Sequence, residues 1–255
     1  MNKFLFLVLF SASFIYSAKS FTMSQADLDM YFKEALENNP GEIELDEGSE
    51  QFEDQIGEAK LAKYLGVSEN DLPTFIAGFP RYVKKAGIVL TIDQLAQAVL
   101  KANGKKVPKL KKLAKMGLYI KSIANDEKIN IDIDANDQMK AMYALGKAMY
   151  NGKRGNRGMS CWGCHTSEDA VGLRLRTQVM VDISSKKGAR SSAATWPAYR
   201  MAKAKVITVA NRLQQCQKSS GQGVLPQGSR EMVALEVYVT SLSNGATMAV
   251  PGLKR

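Results

Sequence analysis

The sequence predicts a mainly helical protein built from two similar halves, of which only the second carries reactive groups. Apolar residues recur at helical spacing, and segments of the first half recur in the same order in the second. All three cysteines and the single histidine lie in the second half. The length of 255 residues is enough for one large domain or two of ordinary size.

The first twenty residues, MNKFLFLVLFSASFIYSAKS, have the pattern of a secretory signal peptide. Lys3 precedes an apolar run, and Ala18 and Ser20 supply the small residues of a cleavage site. The run is too short to span a bilayer comfortably, and no later stretch is long enough. The sequence therefore predicts a soluble protein that is exported to the periplasm and has no membrane span.

Charge is distributed unevenly along the chain. Residues 21–135 carry 15 Lys and Arg against 19 Asp and Glu, whereas residues 136–255 carry 18 against 6. A strongly basic second half favours an acidic protein or a small anionic substrate as its partner. Because the protein is predicted to be exported, we expect no nucleic-acid partner.

Helical spacing of apolar residues is clear in four stretches: SQADLDMYFKEALENN, TIDQLAQAVLKANG, NDQMKAMYALGKAMYNG and SREMVALEVYVTSLSNG. The first begins with Ser24, a plausible helix cap, and the second ends in Gly104. There is no convincing series of alternating strands. The segment INIDID is predicted to be at most a short extended piece.

An internal repeat divides the chain. At a constant offset of 117 residues, FPRYVKKAGIVLTIDQLAQAVLKANG meets WPAYRMAKAKVITVANRLQQCQKSSG. Further on, LYIKSIAND matches VYVTSLSNG, and a weaker pairing joins EGSEQF to ALGKAMY. Three segments in the same order favour duplication over chance. The boundary is predicted around residues 126–137, which gives a signal peptide at 1–20 and domains at 21–130 and 131–255.

The repeat is most informative where the copies differ. The second copy has 19 extra residues between its first two matched segments, and this interval contains CWGCH. At the positions of Arg212 and Cys216 the first copy has Leu95 and Val99. The first half is therefore interpreted as a scaffold that carries no reactive groups, and the second half as the one that holds the functional site.

CWGCH is the attachment sequence of c-type haem. Cys161 and Cys164 are spaced to add to the two vinyl groups, and His165 then lies under the iron as proximal ligand. The flanking helices resemble those of class I cytochrome c. A redox dithiol would not require the histidine, and a partial zinc site would lack ligands.

The sixth ligand of such a haem is left open by the residues alone. The chain has no second histidine, so the candidates are Met, Cys, Lys, an N-terminal amine or water. Methionine is the usual electron-transfer ligand, and four methionines follow the motif: Met180, Met201, Met232 and Met248. Cys216 is the more specific candidate.

Cys216 lies in the helical stretch NRLQQCQ, one turn after Arg212. A nearby guanidinium favours the thiolate and also binds oxyanions. The alternative is an inert, buried cysteine, but an unpaired thiol is a liability in an exported protein, and the repeat shows that valine is accepted there. Arg200, where the first copy has Val83, is a weaker candidate for anion contact and fits a haem propionate or a surface charge equally well.

CWGCH, GARSSAATWPAYR, NRLQQCQ and EVYVTSLSNG together resemble the SoxA family of bacterial sulfur oxidation, and the opening YFKEALENNPGEIELDEGSEQF is also similar. The resemblance covers nearly the whole chain after the signal peptide. It implies two tandem cytochrome c-like domains, the first without haem. It also implies one haem c attached at Cys161 and Cys164, with His165 and Cys216 as axial ligands, Cys216 as the sulfur acceptor, and Arg212 beside the substrate.

The resemblance further implies an activity. It is the oxidative coupling of thiosulfate to a cysteine of the carrier SoxYZ, with electrons leaving through a small partner cytochrome, SoxX. Two other functions stay open: a plain electron carrier with a methionine ligand, and a thiosulfate dehydrogenase that forms tetrathionate, although such enzymes usually carry two haem motifs. Trp162 and Trp196 are interpreted as packing around the porphyrin edge.

Overall fold

The computed structural model describes residues 38–175, 178–186, 188 and 192–254. Helices dominate this part of the chain, as predicted, and in chain order they include α1 (Gly41–Gln55), α2 (Glu58–Leu65), α3 (Leu72–Ala77), α4 (Ile92–Ala102), α5 (Ala114–Ser122), α6 (Asp137–Asn151), α7 (Cys161–His165), α8 (Val209–Ser220) and α9 (Arg230–Ser241). The predicted signal peptide and most of the first predicted helix lie outside the described residues.

Short strands of two or three residues connect the helices: β1 (Arg81–Val83), β2 (Ile88–Leu90), β3 (Arg174–Leu175), β4 (Gln178–Val179), β5 (Ala198–Arg200), β6 (Lys205–Ile207) and β7 (Gly252–Lys254). The segment INIDID forms no strand. Its neighbour Lys128 instead makes an isolated antiparallel bridge with Thr247. The strands are therefore short local pairings between helices.

In each half, two helices cross at a glycine. α1 packs on α5, and α6 packs on α9. A Cβ atom on Gly48 would overlap the backbone carbonyl of Lys115 in α5, and one on Gly146 would overlap that of Ala234 in α9. The two glycines therefore allow the helix backbones to touch. They are the glycines that the weakest of the three sequence pairings had aligned.

Each half also contains a hairpin followed by a capped helix, at the offset of the repeat. β1 pairs antiparallel with β2, and β5 with β6. Thr91 and Thr208 then cap α4 and α8 by accepting a backbone N–H of the first turn. Gln97 and Gln214 each donate to the backbone carbonyl eleven residues further on. The repeated segments thus adopt equivalent local structures.

Two asparagines make equivalent contacts near the boundary between the halves. The side chain of Asn125 hydrogen-bonds both backbone groups of Val250, at 2.7 and 2.9 Å. The side chain of Asn244 does the same with Ile131, at 3.1 and 2.8 Å. Asn125 thus joins the first half to the second, and Asn244, its partner in the repeat, holds the residue at the predicted boundary.

One feature of the described part belongs to the second half alone. The sheet of the first half has the two strands β1 and β2, whereas the second has three in the order β6-β5-β7. β7 runs parallel to β5 and pairs Lys254 with Arg200. The last strand of the described residues therefore belongs to the sheet of the second half.

Residues from Asn39 onward form one compact unit with a core shared by both halves. The division into domains at 21–130 and 131–255, with the first free of haem, remains a prediction. Among the residues described, no helix is long and apolar enough to cross a membrane.

Candidate functional site

The CWGCH motif forms the five-residue helix α7. Ser160 caps its start, since its Oγ accepts a hydrogen bond of 2.9 Å from the backbone N–H of Gly163. After its end, the hydroxyls of Thr166 and Tyr150 lie 2.9 Å apart. Tyr150 is fully buried on α6. The motif is therefore fixed at both ends, once by its own cap and once by the helix that crosses α9.

The main chain orients the imidazole of His165. Its Nδ1 lies 3.0 Å from the carbonyl oxygen of Val181. A carbonyl can only accept, so Nδ1 carries the proton and Nε2 remains for another partner. The backbone N–H of Ile183 also bonds the carbonyl of His165 at 3.1 Å. Proteins commonly fix a metal-binding imidazole by such a carbonyl contact.

Cys216 meets His165 across the site. Helix α8 carries Arg212 and Cys216 on consecutive turns, and the side chains of Cys216 and His165 lie close enough to shift each other's pKa. The charge of Arg212 acts on both groups. The structure therefore brings together three of the residues that the sequence analysis selected, although the motif and the helix are far apart in the chain.

The contact between His165 and Cys216 shifts both pKa values. Burial by itself raises the pKa of the Cys216 thiol, but the bond to His165 and the charges of Arg212, His165 and Arg200 outweigh it, so that the pKa is lowered. Burial by itself lowers the pKa of His165, but the bonds to Cys216 and to the Val181 carbonyl outweigh it, so that this pKa is raised. The pair therefore favours a thiolate, the form in which cysteine binds metals and attacks sulfur.

Arg200 adds positive charge beside Cys216, and Lys254 adds charge beside the two arginines. Burial, followed by the charge of Arg212, lowers the pKa of Arg200, and Cys216 opposes the shift. Burial, followed by the charges of Arg200 and Arg212, lowers the pKa of Lys254. We call Arg200, Arg212 and Lys254 the basic cluster. Sequence reasoning considered the two arginines and missed Lys254, because nothing in the local segment GLKR indicates pairing with a strand so much earlier in the chain.

The two other cysteines are free and half-buried on α7. Burial raises the pKa of Cys161 to about 11, although a hydrogen bond and the charge of Arg154 oppose the shift. Burial, followed by the charge of Cys216, also raises the pKa of Cys164. Both thiols are therefore unpaired and lie on the same short helix as His165.

The donor set of this site fits a c-type haem. Two free thiols, an oriented imidazole and a facing thiol are the groups needed for attachment and axial ligation. Two apolar residues next to these groups are exposed: Trp162 by 46% and Val181, whose carbonyl contacts His165, by 38%. Such a surface suits a large, flat, apolar group. Trp196, by contrast, is buried against Ala198 and Ile207.

The methionines considered as alternative ligands lie in different settings. Met232 and Met248 are fully buried in the protein interior. Met201 is exposed in the turn after Arg200, and the backbone N–H of Met180 bonds to Leu173 in a loop. The side chain that contacts the imidazole of His165 is that of Cys216.

The family model of the SoxA/TsdA cytochrome c domain matches residues 182–248. This range contains the Arg212 and Cys216 helix and begins after the CWGCH motif.

Among the most similar relatives are two proteins named L-cysteine S-thiosulfotransferase subunit SoxA. That of Hydrogenophilus thermoluteolus is 29% identical over 243 residues, which span 89% of this chain and 87% of the relative. That of Chlorobaculum thiosulfatiphilum is 28% identical over 226 residues, or 88% and 75%. The crystal structure of SoxXA from P. pantotrophus shares the fold, with a TM-score of 0.69 and 20% identity over 85% of this chain and 79% of that chain.

Proposed function

The chain is a relative of the SoxA subunits with a cytochrome c domain, which implies haem c, and on this premise we propose that it is a periplasmic L-cysteine S-thiosulfotransferase subunit. In this role it couples thiosulfate oxidatively to a cysteine of a SoxYZ-type carrier. The observation that carries the proposal is the meeting of His165, Cys216 and Arg212 in one site.

We assign one covalently attached haem c to this site. Cys161 and Cys164 would form the thioether links, and the iron would be bound by Nε2 of His165 and by the thiolate of Cys216. The hydrogen bond from Nδ1 of His165 to Val181 supports this role, because it holds the ring in one orientation. When bound, the haem supplies an iron centre that accepts electrons one at a time.

Arg212 and Arg200 bind the sulfonate end of thiosulfate. A guanidinium forms charge-assisted hydrogen bonds to oxyanions, and its planar fork suits two oxygens at once. Both arginines act electrostatically on Cys216, so an oxoanion held by them lies beside the thiol. The two arginines thus both attract the substrate and favour the thiolate.

The sulfur of Cys216 first binds thiosulfate and then passes it to the cysteine of the carrier. Its thiolate joins the terminal sulfur of thiosulfate with loss of two electrons, which gives a Cys216 thiosulfonate. A carrier thiol then attacks this terminal sulfur, loses its proton, takes the thiosulfonate group and returns Cys216 as thiolate. The net reaction forms one S–S bond and releases one proton and two electrons.

The electron count supports a second cytochrome as partner. One haem stores one electron, whereas the coupling releases two. A small SoxX-type cytochrome would remove them in turn. Full turnover by the purified single chain would contradict this part of the proposal.

The test uses the chain produced with a SoxX-type cytochrome in a host that attaches haem c. Thiosulfate, SoxYZ and an electron acceptor are supplied, and the mass of the carrier is followed. Cys216→Met is expected to abolish carrier modification and to convert the optical and EPR spectra from thiolate type to methionine type. Arg212→Gln is expected to lower the rate strongly, whereas Lys218→Gln, an exposed charge on the same helix, should leave it unchanged.

Three outcomes would contradict the proposal. If wild-type and Cys216→Met spectra coincide, Cys216 is not a ligand. If thiosulfate gives tetrathionate without the carrier, the protein is a thiosulfate dehydrogenase. If electrons pass between donors and acceptors but neither product forms, it is a plain electron carrier.

A further inference from the structure

We propose that Arg154 is a positioning residue for Cys216, because it holds the loop before the CWGCH motif against the end of the helix that carries Cys216. The inference rests on the proposed function, since it concerns the thiolate that faces His165. We call residues 152–160, which connect α6 to α7, the motif loop. In this role Arg154 touches neither substrate nor iron and acts only through the two segments that it joins.

The motif loop is closed on itself directly before the first cysteine of the motif. The backbone N–H of Arg154 donates to the carbonyl of Met159 at 2.9 Å, and the two residues form an isolated antiparallel bridge. Inside this bridge, the N–H of Gly158 donates to the carbonyl of Gly155 at 3.1 Å. Because Cys161 follows Met159 by two positions, a shift of the loop would move the start of α7 with it.

Helix α8 ends one turn after Cys216. Gly221 follows it in the left-handed conformation, with a φ of 71°, and the N–H of Gln222 donates to the carbonyl of Gln217 at 2.8 Å. The hydroxyl of Ser220 donates to the carbonyl of Cys216 itself at 2.9 Å. At about 1.5 Å per residue, Gly221 lies about 7.5 Å from Cys216 along the helix axis. A restraint at Gly221 therefore acts on the turn that holds Cys216.

Two contacts join the motif loop to this helix end. Nη2 of Arg154 donates a 3.1 Å hydrogen bond to Oε1 of Gln222, which is buried. A Cβ atom on Gly155 would overlap the carbonyl oxygen of Gly221, so the two backbones touch. A Cβ atom on Gly221 would in turn lie 3.2 Å from Cδ of Arg157. A charge-assisted hydrogen bond and a backbone contact thus fix the loop against the end of α8.

The first half has the same helix end without this contact. Gly104, the repeat partner of Gly221, also has a positive φ, of 68°, but no described atom lies within 4 Å of a Cβ atom built on it. Only Ile56 and Gly57 separate α1 from α2, whereas the motif loop has nine residues. Among the described residues the contact therefore occurs only in the half that holds Cys216, and the repeated fold does not require it.

The contact links the two sides of the site. His165 belongs to α7 and Cys216 to α8, so the chain between them does not fix their separation. Arg154 holds the segment that leads into α7 against the end of α8. Without this hydrogen bond the last turn of α8 can move away from α7, and an exogenous ligand can compete more easily with Cys216 for the haem of the proposed function.

The experiment uses the complete haem-loaded complex and compares Arg154→Gln, Gln222→Ala and the double variant. Titration of the oxidised complex with imidazole, followed by the optical spectrum, gives the affinity of a ligand that competes with Cys216. Amide hydrogen exchange of residues 216–220 measures the opening of the helix end independently of the iron. Kinetics with thiosulfate and the carrier give KM. Lys153→Gln, which changes an exposed residue of the same loop, is the control.

Arg154→Gln and Gln222→Ala are each expected to raise the affinity for imidazole about fivefold to tenfold, the scale of one hydrogen bond to a charged group. The double variant should match either single variant within about twofold, because both changes remove the same bond. Exchange of residues 216–220 should accelerate by a similar factor. KM for thiosulfate should change by less than about twofold, because Arg154 does not bind the substrate.

Two glycines of the loop test the backbone contact. Gly155→Ala introduces a Cβ atom that overlaps the carbonyl of Gly221, whereas Gly158→Ala places one where no described atom lies within 4 Å. Both glycines have a positive φ, of 71° and 57°, so both variants carry the same kind of backbone strain. Gly155→Ala should therefore raise imidazole affinity and amide exchange at least as much as Arg154→Gln, and Gly158→Ala should stay within about twofold of wild type.

Four results would overturn the inference. They are unchanged amide exchange in Arg154→Gln, additive effects of the Arg154 and Gln222 variants, equal effects of the two glycine variants, and an effect of Lys153→Gln as large as that of Arg154→Gln.

Failure of the proposed function would look different. If Cys216→Met leaves the haem spectrum unchanged, Cys216 is not a ligand, but faster exchange of residues 216–220 in Arg154→Gln would still show that Arg154 positions this part of α8. If Cys216→Met changes the spectrum and Arg154→Gln leaves the imidazole affinity unchanged, the ligand assignment stands and the role of Arg154 is wrong.

Discussion

Asn125 and Asn244 make the same two hydrogen bonds, each to the backbone of a residue far away in the chain. Asn125 holds the backbone of Val250, and Asn244 holds that of Ile131. Each asparagine therefore satisfies one backbone donor and one backbone acceptor, and Ile131 and Val250 each lie six residues after one of the two asparagines.

Replacing either asparagine should destabilise the whole unit. We expect Asn125→Ala and Asn244→Ala each to lower the free energy of unfolding by about 2 kcal/mol, because two backbone groups lose their partners. Asn151→Ala, which removes one exposed hydrogen bond to Lys147, serves as control. Urea unfolding measures the three variants. A loss for one central asparagine and none for the other would contradict their equivalence.

The crossing of α6 and α9 should not tolerate a side chain at Gly146. A Cβ atom there would overlap the carbonyl of Ala234, and a helix backbone cannot easily move away. Gly146→Ala is expected to cost about 3 kcal/mol of stability. Gly223→Ala, where no atom lies within 4 Å, should be nearly neutral. Thermal unfolding compares the two, and similar melting temperatures would show that the crossing relaxes.

Asp93 on α4, Lys121 on α5 and Glu236 on α9 line one cavity and should make stability depend on pH. Burial and the charge of Asp93 raise the pKa of Glu236 to about 8, with Lys121 opposing. Burial raises the pKa of Asp93 to about 7, with Thr208 and Lys121 opposing. A carboxyl whose pKa is higher in the folded than in the unfolded state stabilises the fold at low pH, and this stabilisation is lost as pH rises through the folded value.

The free energy of unfolding should therefore fall between about pH 5 and pH 8. Glu236→Gln keeps the neutral shape of the protonated acid and should flatten this dependence, so that the variant is more stable than wild type near pH 8. Glu231→Gln, on the same helix but less buried, should retain the slope. Urea unfolding at several pH values across this range measures the free energy of unfolding. The same pH dependence in wild type and Glu236→Gln would refute the prediction.

Lys121 adds a contribution of opposite sign. Burial lowers its pKa to about 8, with Glu236 and Asp93 opposing. A lysine with a lowered pKa in the folded state stabilises above its unfolded value, near 10.5, and loses this as pH falls through about 8. Lys121→Met should therefore remove any gain in stability that wild type shows between about pH 8 and pH 10. Survival of that gain in the variant would exclude Lys121 as its source.

The first half should accept a thiol but not the arginine that accompanies it. Leu95 and Val99 are fully buried, at the positions that correspond to Arg212 and Cys216. Val99→Cys is expected to cost about 1 kcal/mol or less, since a free cysteine behaves as a small apolar residue. Leu95→Arg should cost about 4 kcal/mol, because it buries an unpaired charge. Denaturant unfolding of both variants tests this, and comparable losses would contradict it.

Much of this architecture could be predicted from the sequence, because it follows from local patterns. Helices α4 and α9 lie in two of the stretches whose helical spacing predicted them. Arg212 and Cys216 share a helix face, as their spacing of four requires. The alignment of Asn125 with Asn244 marked a real structural equivalence, although nothing local could show which backbone groups each asparagine bonds.

The features that the sequence did not predict depend on contacts between segments that are distant in the chain. The short strands have no alternating pattern, because pairs of two or three residues are held by neighbouring helices rather than by their own composition. Lys254 gains its position from a parallel pairing with β5, which no local signal reveals. No local pattern shows that three charged residues on different helices line one cavity. They are Asp93, Lys121 and Glu236.

The reciprocal asparagine bonds also bear on how such a chain arose. An ancestor with a single copy of the unit could make the same contacts as a symmetric homodimer, with each subunit completing its twin. Fusion of two copies would then keep these hydrogen bonds, and only one copy would need to retain the reactive groups. Since these hydrogen bonds join side-chain amides to backbone groups, exchange of other side chains in either copy would leave them intact.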